Sequence, residues 1–251
     1  MKTLAGLRVL VTRPAHQAEG LCVLLRQAGA EVLRLPLLAV EPVADPAAAA
    51  ARLRRAQGGD SWIFTSANAV HAALRLDPGG AWPALAAAGA ATAAALRRAG
   101  HEGVVTPLRG DGSAGLLEDP FFAAVSGQRI LIVSGEDTLP GLAEGLRARG
   151  AEVEVAAVYR RRPVPHEAAA VGAALDGADV AIVSSGEALA QLQRLTPADR
   201  RERLLGLQLA LPSPRVVEKA RQAGFRQPPL LPTRVSDTAY VELLQHWLQE
   251  K

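Results

Sequence analysis

Residues 8–43, RVLVTRPAHQAEGLCVLLRQAGAEVLRLPLLAVEPV, decide the fold, because they return without a gap as residues 129–164, RILIVSGEDTLPGLAEGLRARGAEVEVAAVYRRRPV, with twelve identities in 36 positions. Each copy opens on a β-branched run and passes through a helical pattern. It then turns on Gly29-Ala30-Glu31-Val32 or Gly150-Ala151-Glu152-Val153 and leaves through a second extended run. That is the order of a βαβ unit. A second echo sets Asp60-Ser61-Trp62-Ile63-Phe64-Thr65-Ser66 against Asp179-Val180-Ala181-Ile182-Val183-Ser184-Ser185, and a third matches Leu96–Gly100 loosely to Ala220–Gly224. The composition is biased toward Ala, Arg, Leu and Gly, as in Ala47–Ala51, but bias alone does not keep strand, helix and turn in one register over such a length. The chain reads as one βαβ-rich unit written twice.

Working outward, further strand-like runs alternate with amphipathic segments. The clearest strands are Arg8–Thr12, Glu31–Leu35, Ser61–Thr65, Arg129–Val133, Glu152–Val158, Asp179–Ser184 and Leu207–Leu211. This alternation predicts an α/β fold of two similar lobes, each a mostly parallel sheet flanked by helices. A length of 251 residues suits two domains. After each first βαβ the Pro- and Val-rich segments Leu35–Val43 and Val155–Val164 run on past the expected strand length, which reads as two crossings between lobes. The expected division is a discontinuous domain 1 of residues 1–36 and 164–251, a domain 2 of residues 43–154, and linker strands at 37–42 and 155–163.

Composition closes off several classes. With 49% hydrophobic and 21% charged residues the chain can fill real cores, so disorder is excluded as its main state. The longest weakly polar run, Ala84–Leu96, is too short and too rich in Ala and Gly for a membrane span, and Leu7–Val11 ends in Thr12-Arg13-Pro14 without the features of a secretory signal. One cysteine, Cys22, excludes a disulfide framework and a multi-thiolate metal site, and a reducing cytoplasm fits. Lys and Arg number 28 against 25 Asp and Glu, dispersed and with few aromatic residues for stacking, so nucleic acid is not an expected partner. Without a heptad or a long apolar edge the expectation is a monomer.

The strands end in hydroxyl and small residues at helix starts: Thr12-Arg13-Pro14, Thr65-Ser66-Ala67-Asn68, Gly89-Ala90-Ala91-Thr92, Ser134-Gly135-Glu136, Ser184-Ser185-Gly186 and Pro212-Ser213-Pro214. Free backbone N–H groups, the positive end of a helix and a hydroxyl donor together bind carboxylate or phosphate oxygens. Ordinary N-capping explains any one of them; six at equivalent strand ends point to a polyanion site in one crevice. Tyr159, one of two tyrosines, lies in the second crossing, where its phenol is either a half-buried packing group or a proton donor. Arg160, Arg161 and Arg162 beside it either steer an acidic substrate or are simply solvated. Gly110-Asp111-Gly112-Ser113-Ala114-Gly115 fits the dinucleotide fingerprint but falls late in its half, with no acidic strand end at the right distance. The histidines at 16, 71, 101, 166 and 246 are dispersed, so neither a zinc site nor a Ser-His-Asp triad can be assembled.

In ordered succession, Val11-Thr12-Arg13-Pro14, Phe64-Thr65-Ser66-Ala67-Asn68-Ala69-Val70, Gly89-Ala90-Ala91-Thr92-Ala93, Val158-Tyr159-Arg160 and Ser184-Ser185-Gly186 give the chain, over nearly its whole length, a sequence that resembles the uroporphyrinogen-III synthase family. One departure is Ser213-Pro214-Arg215-Val216, where the family often carries Gly-Pro-Thr-Thr. The resemblance implies a cofactor-independent lyase with its substrate in a cleft between two lobes. Hydroxymethylbilane loses water and closes to uroporphyrinogen III, ring D being inverted through a spiro intermediate. It also supports Tyr159 as the donor that helps the hydroxyl leave. Thr12, Arg13, Thr65, Ser66, Thr92, Ser184, Ser185, Ser213 and Lys219 are the candidate groups on the carboxylate side. The competing class is a non-enzymatic two-lobe sensor for a small polyanion, which usually carries a signal peptide or a DNA-binding helix-turn-helix; neither is visible in the sequence.

Overall fold

The structure, a computed structural model, describes residues 3–108, 112–137 and 140–250. The chain opens with β1 (Arg8–Val11), α1 (Ala15–Gln27) and β2 (Glu31–Arg34). It continues through β3 (Leu38–Pro42), α2 (Pro46–Ala56), β4 (Ser61–Phe64), α3 (Ala67–Leu76), β5 (Ala84–Ala87), α4 (Ala90–Arg98) and α5 (Gly112–Glu118). The second copy of the repeat follows as β6 (Arg129–Gly135), α6 (Gly141–Ala148) and β7 (Glu152–Pro163). The remainder forms α7 (Ala168–Gly177), β8 (Val180–Ile182), α8 (Gly186–Leu195), α9 (Arg201–Gly206), β9 (Gln208–Ala210), α10 (Pro214–Gln222) and α11 (Asp237–Trp247).

The contacts divide the chain into two units, Met1–Ala39 with Arg162–Lys251, and Val40–Arg161; the divisions fall inside β3 and β7. One sheet has the order β2-β1-β8-β9 and the other β3-β7-β6-β4-β5. Strands β2, β1, β8 and β9 pair in parallel throughout, and so do β7, β6, β4 and β5. The repeat fixes the register. Arg8 lies opposite Glu31 in the first copy and Arg129 opposite Glu152 in the second. In both copies the helix returns to the sheet through a glycine with positive φ, Gly29 at +96° and Gly150 at +85°.

The shorter echo is equally faithful. Strand β8 lies beside β1 and β4 beside β6, and each is followed outward by the next strand, β9 or β5. A further parallel bridge extends both edges, Ala210 to Leu230 and Ala86 to Val105. The units are therefore the same arrangement assembled from two halves, but in the second unit the halves come in the opposite order along the chain.

Strand residues alternate between two cores in each unit, as a sheet covered by helices on both faces requires. In the first unit Leu10, Ala181 and Leu209 join one cluster, while Val9, Val11, Val180 and Ile182 join the other with Leu21, Leu25 and Tyr240. In the second, Trp62, Phe64, Leu131 and Val133 pack with Leu53, Val70 and Leu96, and Ile63, Ile130 and Ile132 pack with Leu116, Phe122 and Leu146. Each such large side chain contributes roughly 1.5–3 kcal/mol on full burial.

Two local features differ from the sequence reading, and a third falls partly outside the described residues. Strand β5, Ala84–Ala87, has no β-branched residue; pairing with β4, Ser61 opposite Ala84, makes it a strand against its propensity. Ser134-Gly135-Glu136 does not start a helix: β6 runs through Gly135 and α6 begins at Gly141. Gly110 and Asp111 of the fingerprint-like stretch lie outside the described residues, as does the side chain of Ser113.

Candidate functional site

In open parallel sheets, ligands gather at the carboxyl ends of the strands, and the candidate residues cluster there in each unit. In the first unit β8 ends in Ser184-Ser185 and β9 in Pro212-Ser213. Ser185 is the N-cap of α8, its Oγ accepting the Ala188 N–H at 3.0 Å. Ser213 caps α10 by its extended backbone alone, with no side-chain cap bond. The hydroxyls of Ser184 and Ser213 have no hydrogen-bond partner among the described residues. Lys219, exposed on α10, reaches back across the first turn of α8. A methyl added to Gly186 would stand 2.9 Å from Lys219 Cδ and 3.1 Å from Nζ. An ammonium and a helix N-terminus at such close quarters both favour a negative charge.

Two residues at the end of β1 are placed otherwise than expected. Thr12 is fully buried and donates its hydroxyl proton to the Ile182 carbonyl at 2.9 Å, tying β1 to β8. Arg13 is largely buried and pairs with Asp237 at the start of α11, its guanidinium carbon 5.3 Å above the ring of Tyr240. In this conformation the Thr12 proton goes to Ile182, and one guanidinium nitrogen of Arg13 goes to Asp237. Burial pushes the Tyr240 phenol up to about 12, against the pull of Arg13, with Asp237 adding to the rise; Tyr240 stays protonated at neutral pH.

In the second unit β4 ends in Thr65-Ser66. The Thr65 hydroxyl reaches the Val133 carbonyl at 3.5 Å, a long contact that leaves it available. Ser66 is the N-cap of α3, its Oγ accepting the Ala69 N–H at 3.2 Å and lying 3.2 Å from the Tyr159 phenolic oxygen. Thr92 sits in the first turn of α4, only 5% exposed, and its hydroxyl has no hydrogen-bond partner among the described residues.

Tyr159 is 6% exposed and packs in the core cluster of Phe64, Val70 and Val133, so the packing reading of this residue holds together with its polar contact. What aims it is an irregularity between β6 and β7. Ser134 lies opposite Ala157 but Gly135 lies opposite Tyr159, so the register skips Val158. Bulges of this kind re-aim a side chain. Next to it, Arg160 pairs with Glu41 at 3.2 Å, which takes up the charge that would otherwise steer a substrate.

Glu41, Asp237 and Gly135 escape a reading of the sequence: nothing local marks the first two as ion-pair partners or the third as the neighbour of a phenol. Among the described residues there is no group of three or more His, Cys, Asp or Glu placed to hold a metal ion, and no helix long and apolar enough to cross a membrane.

A doubled α/β scaffold with hydroxyl-bearing helix starts at its strand ends defines the class, and comparison with known proteins gives the family. The family model of uroporphyrinogen-III synthase HemD matches residues 19–229. The uroporphyrinogen-III synthase of Salmonella typhimurium is 32% identical over 250 residues, covering 96% of this chain and 99% of that protein. The Escherichia coli protein of the same name is 30% identical over 249 residues, again covering 96% and 99%. A crystal structure of a mutant uroporphyrinogen III synthase from the extremely thermophilic bacterium Thermus thermophilus superposes with a TM-score of 0.67 at 22% identity, covering 98% of this chain and 100% of that one, a likeness of fold. The chain belongs to the uroporphyrinogen-III synthase family.

Proposed function

We propose that this chain is a lyase of tetrapyrrole and haem biosynthesis that closes linear hydroxymethylbilane to uroporphyrinogen III, with loss of water and inversion of ring D. The observation that carries the reading is the recurrence, in both units, of hydroxyl-bearing helix starts at the carboxyl ends of parallel strands, with one phenol among them. The relatives that bear the synthase name span almost the whole chain. Residues 1–36 with 164–251, and residues 43–154, are the two working bodies, joined by 37–42 and 155–163; the contact division at Ala39 and Arg161 supports this.

The substrate is a flexible polycarboxylate whose activated chain closes spontaneously, head to tail, to the unflipped isomer. The protein therefore has to restrict geometry more than to supply strong acids or bases, which is an entropy-trap task. Thr65, Thr92, Ser184, Ser185, Ser213 and Lys219 share the hold on the carboxylates. Tyr159 donates a proton to the hydroxyl as it departs as water, and exclusion of bulk water protects the azafulvene left behind. Because the hold is shared, loss of one hydroxyl affects affinity mildly. No metal or nucleotide takes part in this scheme.

The protein works as a cytoplasmic monomer without nucleic-acid partners. Its free Cys22 is buried, and its exposed large apolar side chains among the described residues, such as Val23, Phe121 and Val235, are scattered along the chain. Sedimentation at micromolar concentration checks the monomer. The activity is tested by incubation with enzymatically generated hydroxymethylbilane, then oxidation and isomer analysis. Excess isomer III is expected; isomer I alone overturns the reading and leaves a binder.

A further inference from the structure

Tyr159 is the only candidate of the site that is deeply buried and also hydrogen-bonded to another candidate. Its surroundings are specific. The Ser66 Oγ accepts the Ala69 N–H, so its own proton is free to be donated toward the phenolic oxygen 3.2 Å away. With the serine as donor, the phenol proton is directed elsewhere, and the bond supports the negative charge that grows on the oxygen as the proton leaves. The donor stands at the N-terminus of α3, whose partial positive charge acts in the same sense.

On the other side the ring lies against bare backbone. A methyl added to Gly135 would stand 2.8 Å from Tyr159 Cζ, 3.1 Å from Cε2 and 3.1 Å from the phenolic oxygen. The first distance is shorter than real carbon contacts allow, and the ring is packed among core residues, so it cannot simply swing away. The φ of Gly135 is not in the left-handed region. Its lack of a side chain therefore serves close approach, not a turn.

We propose that Ser66 and Gly135 are positioning residues for Tyr159: the serine hydroxyl orients and supports the phenolic oxygen while the glycine leaves the space in which the ring lies. The proposal rests on the reading of Tyr159 as proton donor. It moves Ser66 from the carboxylate-holding set expected from sequence to a role exerted through Tyr159.

The test is steady-state kinetics with isomer analysis on Ser66→Ala, Ser66→Thr, Gly135→Ala, Tyr159→Phe and the double variant Ser66→Ala/Tyr159→Phe, each with its Tm measured. Ser66→Ala is expected to lower kcat about tenfold with KM within about twofold of wild type, and Ser66→Thr to recover most of the loss. In the Tyr159→Phe background the same Ser66→Ala change is expected to cost less than about twofold, because its route of action is gone. Gly135→Ala is expected to lower kcat about tenfold or more while the protein remains folded.

A Ser66→Ala effect confined to KM, or one of equal size in both backgrounds, overturns the positioning role while leaving Tyr159 as donor. Wild-type turnover in Gly135→Ala overturns the part assigned to the glycine. Full turnover in Tyr159→Phe overturns the donor reading itself, and the proposal with it. If Ser66→Ala does not fold, Ser66→Gly, which also lacks the hydroxyl but is better tolerated as an N-cap, is measured in both backgrounds and decides on the same criteria.

Discussion

The two units hold the same pieces at equivalent places and differ in what stands beside one serine. In the second unit Ser66 caps α3 and meets Tyr159, which lies over Gly135. In the first, Ser185 caps α8 through the same contact, but the repeat sets Leu38 where Tyr159 would be and Pro14 where Gly135 would be. Leu38 is buried in an apolar cluster with Leu189 and Leu192, and Pro14 is the N-cap of α1. The first copy also breaks at Leu35-Pro36-Leu37 between β2 and β3, whereas the second runs unbroken through β7. Pro36 has no N–H to give to a sheet. The repeat thus carries scaffold and helix caps twice, and a few departures leave a phenol beside the capping serine in one unit only.

The sharpest way to break this comparison is Tyr159→Phe, which removes the phenolic oxygen from the position that Leu38 holds in the first unit. Turnover should fall by about one to three orders of magnitude, with isomer III still the enzymatic product and Tm little changed. Next come the paired caps. Ser66→Ala and Ser185→Ala should each cost about 1 kcal/mol in denaturant unfolding, since both lose one capping bond. Their kinetics should part, with Ser66→Ala showing about a tenfold loss in kcat and Ser185→Ala a rise of a few-fold in KM.

A second pair should behave alike. Gly29→Ala and Gly150→Ala force a side chain into positive φ, and each new methyl would crowd a hydroxyl, Thr3 Oγ1 at 3.1 Å or Ser126 Oγ at 2.8 Å. Equal losses of about 1–2 kcal/mol are expected for the backbone strain, and a tolerated substitution in one copy alone would show that the copies are not equivalent there.

The smallest effect concerns the aspartates that begin the echo. Asp179 takes both the backbone N–H and the guanidinium of Arg8, at 2.9 and 2.8 Å, whereas Asp60 takes only the backbone N–H of Arg129. The Arg8 hydrogen bond, ahead of the simple charge attraction, holds the Asp179 carboxyl below the usual carboxylate range. A depressed carboxylate stabilises the fold above its unfolded pKa and loses that contribution as pH falls through the folded value. Asp179→Asn should therefore lower Tm slightly more than Asp60→Asn at pH 7. Its deficit against wild type should shrink as pH drops below about 3.9. A deficit that persists unchanged in acid would place the effect outside the ion pair.

Most of the fold is legible in the sequence because the repeat carries register: the offset that aligns Arg8 with Arg129 also aligns their partners Glu31 and Glu152. What escapes is set by neighbours remote in sequence. Alanine-rich β5 is a strand because β4 lies beside it. Thr12 has the make-up of a ligand donor, but Ile182 takes its proton. Arg13 has the charge to hold a carboxylate, but Asp237, 224 residues away, occupies it. Among the candidates, the hydroxyls at helix starts are legible through capping preference, and Tyr159 through its rarity. The closeness of Gly135 to its ring is not, since a missing side chain leaves no chemical sign in a sequence.

The opposite chain order of the halves has a consequence for biosynthesis. Strand β1 is translated well before its neighbour β8, which begins only at Val180. By then every strand of the stretch Val40–Arg161 has been translated, so that stretch can complete its sheet while the opening segment still waits for its last partners. A nascent chain halted between that stretch and β8 would thus hold one finished half and one orphaned βαβ, with β1 lacking a strand that lies beside it.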